Sequence, residues 1–236
     1  MHSDVSATDY RLKVINNSTN YSDFCVYQQD PDLGVPDVHT LAWFSKPLFP
    51  STVANFTWEI DYSFVWSETG VLRPGVLFEA SQVWYADPGD MKQNQVLFTH
   101  LQQAYTFEHG DAVGTPQRGT LYIKEMSTIP LKQASVGIGM AGSGTFAVQA
   151  EPNQTLTFTP HPRYWITAGT YEQGEVLDIG AISDSAEIDF PPNVYNMTAI
   201  LNPDNTWTVE ATRDIDFPQL KVERIRRRRE LVGSSR

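Results

Sequence analysis

Between Asn55 and Ser67 the chain reads NFTWEIDYSFVWS, and its polarity alternates residue by residue. Phe56, Trp58, Ile60, Tyr62, Phe64 and Trp66 fall on one parity, while Thr57, Glu59, Asp61 and Ser63 fall on the other. Val65 alone breaks the rule. Successive side chains of a β-strand point to opposite faces, so residues 55–66 are predicted as one long strand with an aromatic inner face and a wet outer face. Such a strand belongs in an antiparallel sheet buried on one side.

Shorter runs repeat the theme. Strands are expected at 10–15, 23–28, 39–44, 75–85, 96–101, 104–107, 120–124, 134–140, 145–150, 155–159, 164–168, 176–179, 186–190, 195–201 and 206–212. Pro47 and Pro50 should close the short run at 39–44. The AGSG between 134–140 and 145–150 reads as a hairpin turn, and Asn202-Pro203-Asp204-Asn205 as another. Spacing of about 8–14 residues is the rhythm of a sandwich or barrel. No stretch before Asp216 carries a helical period, and no linker or fixed repeat divides the body. The expectation is a single large antiparallel β-sandwich over residues 10–220, all-β, with roughly ten to fourteen strands. A flexible leader (1–9) would precede it. A short basic C-terminal extension (221–236), helical or disordered, would follow.

Charge is unevenly spread over the 236 residues. The last sixteen carry +5, against a total of −11, which leaves −16 on an acidic body. Such a body repels nucleic acid and anionic lipid surfaces, so neither is an expected partner of the domain. Cys25 is the only cysteine, which excludes an intrachain disulfide framework. No apolar run approaches the ~20 residues of a membrane-spanning helix. MHSDVSATDYRLKV has neither the basic nor the apolar region of a classical signal peptide. The default expectation is therefore a cytoplasmic protein, with non-classical release as the other route. Without such a signal, the N-x-S/T triplets at Asn16, Asn17, Asn20, Asn55, Asn153 and Asn196 reflect a Thr-rich β composition.

Few groups point to chemistry. Gly137-Ile138-Gly139-Met140-Ala141-Gly142 matches G-x-G-x-x-G, but a dinucleotide site needs a helix next, and Thr145-Phe146-Ala147-Val148 is a strand. The glycines are read as a tight hairpin or close sheet contacts. His2, His39, His100, His109 and His161 show no metal spacing; His39 with Asp37, or His100 with His109, would have to meet through the fold. No serine sits in a G-x-S-x-G elbow, and Cys25 lies in an apolar strand where a buried, inert thiol is expected. Glu59 and Asp61, two apart on one strand face, have the composition of a glycosidase pair but read as solvent-facing. Asp87 and Asp90, in Asp-Pro-Gly-Asp, read as turn residues and are the one candidate for Ca²⁺. No catalytic residue and no cofactor is assigned.

Two groups are candidates for contact. Trp58, Trp66 and Trp207 follow the inward parity of their strands and read as core, whereas Trp43, Trp84 and Trp165 lie near strand ends and would offer flat faces for stacking on a sugar. Arg226, Arg227, Arg228 and Arg229 would form a solvated tail or dock on an acidic partner, including another copy of this chain as a homo-oligomer.

Several phrases in order resemble one bacterial family. They are Cys25-Val26-Tyr27-Gln28, Thr40-Leu41-Ala42-Trp43-Phe44, the run from Trp58 to Trp66, LYIKE at 121–125, Ser127-Thr128-Ile129-Pro130, and Ala134 to Met140. FTPHP at 158–162, YWI at 164–166 and NTWTV at 205–209 complete the series. Together, over about residues 10–212, they resemble the rhizosphere-induced protein RhiA family. The resemblance implies a protein linked to host-associated growth and density-dependent (quorum-regulated) expression, with no assigned enzymatic activity and no catalytic residues to carry over. The tail from Lys221 falls outside it.

The leading expectation is thus a non-enzymatic binding or structural protein, its partner a protein or glycan met through the loops at 29–38 and 86–94. A carbohydrate-binding or carbohydrate-active module is the alternative. A self-assembling or pore-forming β protein, built by strands such as 55–66 re-pairing between chains, is the third.

Overall fold

Alternating β-branched and aromatic runs fold here into seventeen strands among the described residues. The computed structural model describes residues 8–29 and 34–212; most of the leader, residues 30–33 of the first proposed contact loop, and the arginines at 226–229 lie outside the described residues. The strands are β1 (Tyr10–Asn16), β2 (Ser22–Gln29), β3 (His39–Thr40), β4 (Phe44–Leu48), β5 (Thr52–Trp58) and β6 (Tyr62–Ser67). Then come β7 (Gln82–Ala86), β8 (Gln95–Leu101), β9 (Ala104–Glu108), β10 (Leu121–Glu125), β11 (Ser135–Met140) and β12 (Ser143–Gln149). The last five are β13 (Thr155–Phe158), β14 (Arg163–Gly169), β15 (Ser185–Ile188), β16 (Asn196–Leu201) and β17 (Trp207–Ala211). Among the described residues the only helical turn is a 3-10 segment at Ile179–Ala181. The chain is all-β, as its sequence pattern requires.

Four sheets form, in the orders β17-β16-β1-β5, β15-β14-β2-β4, β3-β12-β11-β6-β7 and β13-β10-β8-β9. Pairing is antiparallel except for β1 with β16 and β8 with β10. The sheets share two main cores. Leu12, Val14, Phe56 and Trp58 meet Phe24, Val26, Tyr164 and Ile166 in the first. Phe64, Trp66, Val136 and Ile138 meet Phe98, Leu121, Ile123 and Phe158 in the second. Each core is thus a sandwich filled from two facing sheets. Because the chain crosses between them repeatedly, neither sandwich is a continuous segment.

One crossing falls inside the aromatic run. Residues 55–66 are not one strand: β5 ends at Trp58 beside β1, and β6 begins at Tyr62 beside β11. Ile60, assigned inward by parity, is 46% exposed. The break is pinned by Asp61, whose carbonyl oxygen and Oδ1 both accept the Ala141 N–H, at 3.2 and 2.9 Å. Glu59 and Asp61 are therefore not neighbours on a strand face, and Asp61 is engaged by backbone. The long strand offered for re-pairing between chains is likewise absent, and β6 is hydrogen-bonded on both sides.

Val65, the one exception to the alternation, also has its explanation. The second face of its sheet is covered too, and Val65 packs there with Leu41, Leu72, Phe78 and Val176. Residues 39–44 divide in the same manner as 55–66, with β3 in one sheet and β4 in another. Pro47 lies inside β4 rather than closing the run before it; β4 is an edge strand, where a missing N–H need not cost a ladder bond. Of the expected strands, 176–179 survives only as a bridge from Val176 to Leu41, while 75–85 keeps its second half as β7 and has a single bridge, Leu77 with Glu175, before it.

Candidate functional site

The three tryptophans proposed for stacking have different fates. Trp43 is fully buried among Phe44, Trp58 and Tyr164, and its Nε1–H donates to the Met140 carbonyl at 2.8 Å. It lies between two strands in sequence but at the centre of a core in space, so it offers no face to a ligand. Trp165 is half-buried on β14, packed against the cluster of Cys25, Tyr27, Ala42 and Leu177. Trp84 is half-buried on the edge strand β7, in edge-to-face contact with His109 at 4.9 Å and Phe107 at 6.4 Å.

Around Trp84 the surface opens into a groove of about 450 Å³. Val83 and Tyr85, on the opposite face of β7 from Trp84, are 46% and 60% exposed. Lys92, Gln93, Gln95 and His109 complete the wall with ammonium, amide and imidazole groups. The groove thus combines aromatic surface with hydrogen-bonding side chains on a rigid edge. Asp87 and Asp90 lie just beyond it. Their Oδ1 atoms accept the backbone N–H groups of Gly89 at 2.7 Å and Lys92 at 2.9 Å, which is the geometry of side-chain-closed turns. Among the described residues no group of three or more His, Cys, Asp or Glu converges on a metal position.

A second cavity, of about 310 Å³, sits where β10, β12 and β13 meet the segment before β3. It brings His39 and Asp37 to one place, the meeting that the sequence left open. Glu125, the last residue of β10, lines the same cavity and is 1% exposed. Its Oε1 accepts the Glu151 N–H at 3.2 Å, and its Oε2 has no partner among the described residues. Burial pushes the Glu125 carboxyl up to about 8, aided by the nearby Glu151 charge and opposed by the Glu151 N–H. Cys25 behaves otherwise: burial raises its thiol, Glu175 raises it further, and a neutral, unreactive sulfur results.

The Glu125 shift carries a stability consequence. The folded chain keeps the Glu125 proton up to about pH 8, whereas the unfolded chain releases it near 4.5. Between those values the unfolded state binds fewer protons, so this group makes stability fall as pH rises, and the effect levels off above pH 8. Glu125→Gln keeps the acceptor for Glu151 and removes the titration. Its advantage over the parent chain should grow from about pH 5 to about pH 8 and reach the order of a few kcal/mol. Denaturant melts at about pH 5, 6.5 and 8 test this; parallel stability curves for the two proteins would refute it.

Sequence reasoning missed Glu125. Within LYIKE its parity matches Leu121 and Ile123, and an acid on the inward parity of a strand was the available signal.

The same residues place the chain among known proteins. A family model described as RhiA matches residues 7–212. Protein RhiA from Rhizobium leguminosarum bv. viciae is 40% identical over 210 residues, which cover 86% of each chain. No solved structure matches.

Proposed function

This chain belongs to the RhiA family, and from that premise we propose that it is a non-enzymatic binding protein that recognises a saccharide in the groove along β7, at a host or community interface. The observation that carries this reading is Tyr85, a large aromatic ring 60% exposed beside the half-buried Trp84. Pairing of β7 with β6 fixes the backbone that carries Tyr85, and the flat face of its ring suits the C–H face of a pyranose. Lys92 and Gln93 are exposed at the rim, where they would bond the sugar hydroxyls. The two sandwiches supply a rigid frame for that edge. Among the described residues no helix is long and apolar enough to cross a membrane.

A glycan array probed with the full chain, Tyr85→Ala and Trp84→Ala tests the proposal. At least one glycan class should bind the parent chain, and Tyr85→Ala should weaken it tenfold or more, about 1.4 kcal/mol, with no change in melting temperature. Trp84→Ala should lose binding too, with some loss of stability because Trp84 also packs on the core. No binding to any glycan, or binding indifferent to Tyr85, removes the reading.

A further inference from the structure

Independently of the groove on β7, we propose that the cavity at Glu125 is a binding site for small organic cations, a primary ammonium group on a short apolar body, with the Glu125 carboxylate as its counter-ion. Glu125 is nearly sealed from bulk water, one of its oxygens is held by a backbone N–H, and the other has no partner among the described residues. A buried polar atom left unmatched costs free energy, so the site gains from a ligand that completes it.

The surroundings select the charge of that ligand. Asp37, Glu125 and Glu151 bring three carboxyl groups to the cavity, and no lysine or arginine is among the described residues that line it. His39 is the one group there able to carry positive charge. An anion would meet only repulsion from the carboxylates of this wall, whereas a cation is drawn in and pairs strongly in a water-poor setting. A bare metal ion is a poor match because no three ligating side chains converge on a point among the described residues. An ammonium group needs less: one carboxylate, with Gln149 and Gln154 also lining the cavity as amide residues. Leu72, Val148 and Leu156 line the cavity as apolar surface for a short hydrocarbon body.

Pairing requires an ionised Glu125. At neutral pH the incoming R–NH₃⁺ keeps its own proton, the Glu125 carboxylic acid releases one to solvent, and an ammonium–carboxylate pair remains. Asp37, Glu151 and His39 are the other titratable groups facing the cavity. Protonation of any of them at lower pH also disfavours the cation, so all act in one direction.

Titration calorimetry of the full chain with n-butylamine, n-butanol and sodium butyrate, from about pH 6 to about pH 9, tests the site. n-Butylamine should bind, with affinity rising roughly tenfold per pH unit below about pH 8, where Glu125 ionises without help. Repeating the titration at neutral pH in buffers of different ionisation heat should show close to one proton released per amine. Glu125→Gln, which should fold at least as well, is expected to weaken the amine by tenfold or more and to abolish that release. Tyr85→Ala should bind the amine as the parent does, so failure of the saccharide reading leaves this result untouched. Absence of amine binding at the alkaline end, equal binding of butanol, tighter binding of butyrate, or unchanged affinity in Glu125→Gln would each overturn the proposal.

Discussion

Gly137→Ala is expected to leave almost no folded protein. Gly137 lies in the middle of β11, between β12 and β6 in a five-stranded sheet. A Cβ built there would overlap the Phe146 carbonyl oxygen and approach the Ala147 Cα to 2.8 Å. Both obstacles are backbone, and neither can withdraw without breaking the pairs Val136 with Val148 and Ile138 with Phe146. Side-chain adjustment offers no relief, so the cost should exceed about 4–5 kcal/mol, a large part of the total stability of a typical domain. Gly114→Ala is the matched control: an added Cβ there meets nothing within 4 Å, and the change should stay within about 1 kcal/mol. Soluble yield, circular dichroism and urea midpoints of the pair decide the matter. A Gly137→Ala protein as stable as the parent to within about 1 kcal/mol would contradict the pairing of β11 with β12 in this register.

The second large effect belongs to Trp43. Trp43→Ala empties a site enclosed by Phe44 at 4.2 Å, Trp58 at 5.3 Å and Tyr164 at 5.9 Å between ring centres. Removing a buried tryptophan costs about 3–5 kcal/mol through lost burial and the cavity left behind. It also removes the indole hydrogen bond to the Met140 carbonyl, which sits at the end of β11 in the other sandwich. Trp43 therefore ties a strand of the other sandwich to the core that it fills, the core into which Met140 also packs. Trp43→Phe should separate the two contributions: it keeps much of the ring volume, loses the hydrogen bond, and should cost about 1–3 kcal/mol. Urea unfolding of both variants should rank alanine well below phenylalanine. Equal stability of the alanine variant and the parent would show that Trp43 neither fills the core nor ties the two sandwiches together.

Most strands are legible in the sequence because alternation is local. Strand β1 falls within a residue of its expected bounds, and so do β2, β8, β10, β11 and β16. The glycine-rich run at 137–142 is also readable as a hairpin. Ala141 and Gly142 take φ of +52° and +76°, the pair of positive values that a type I′ hairpin turn demands. Sequence and structure part where the chain changes sheets. At 59–61 the alternation continues unbroken, and at 41–43 an apolar run continues, while the pairing partner changes; nothing in the local pattern records a change of partner. Trp43 escapes the pattern for that reason: near a strand end in sequence, it sits inside a core built from several other segments.

The candidate sites divide along the same line. Trp84 is recognisable as an aromatic residue near a strand end, and its exposed neighbour Tyr85 follows from the same strand. Glu125 shows in the sequence only as an acid on an inward parity; the convergence of β10, β12, β13 and the residues before β3 turns it into a buried carboxyl with an unmatched oxygen. By itself the sequence determined that this chain is all-β, where most strands and turns lie, and how family phrases are ordered along it, because each of those depends on residues close together. Only the tertiary structure decided that the aromatic run at 55–67 breaks at Asp61 and feeds two sandwiches, and that Val65 and Glu125 are enclosed. Burial of a strand's second face is set by what distant segments pack over it.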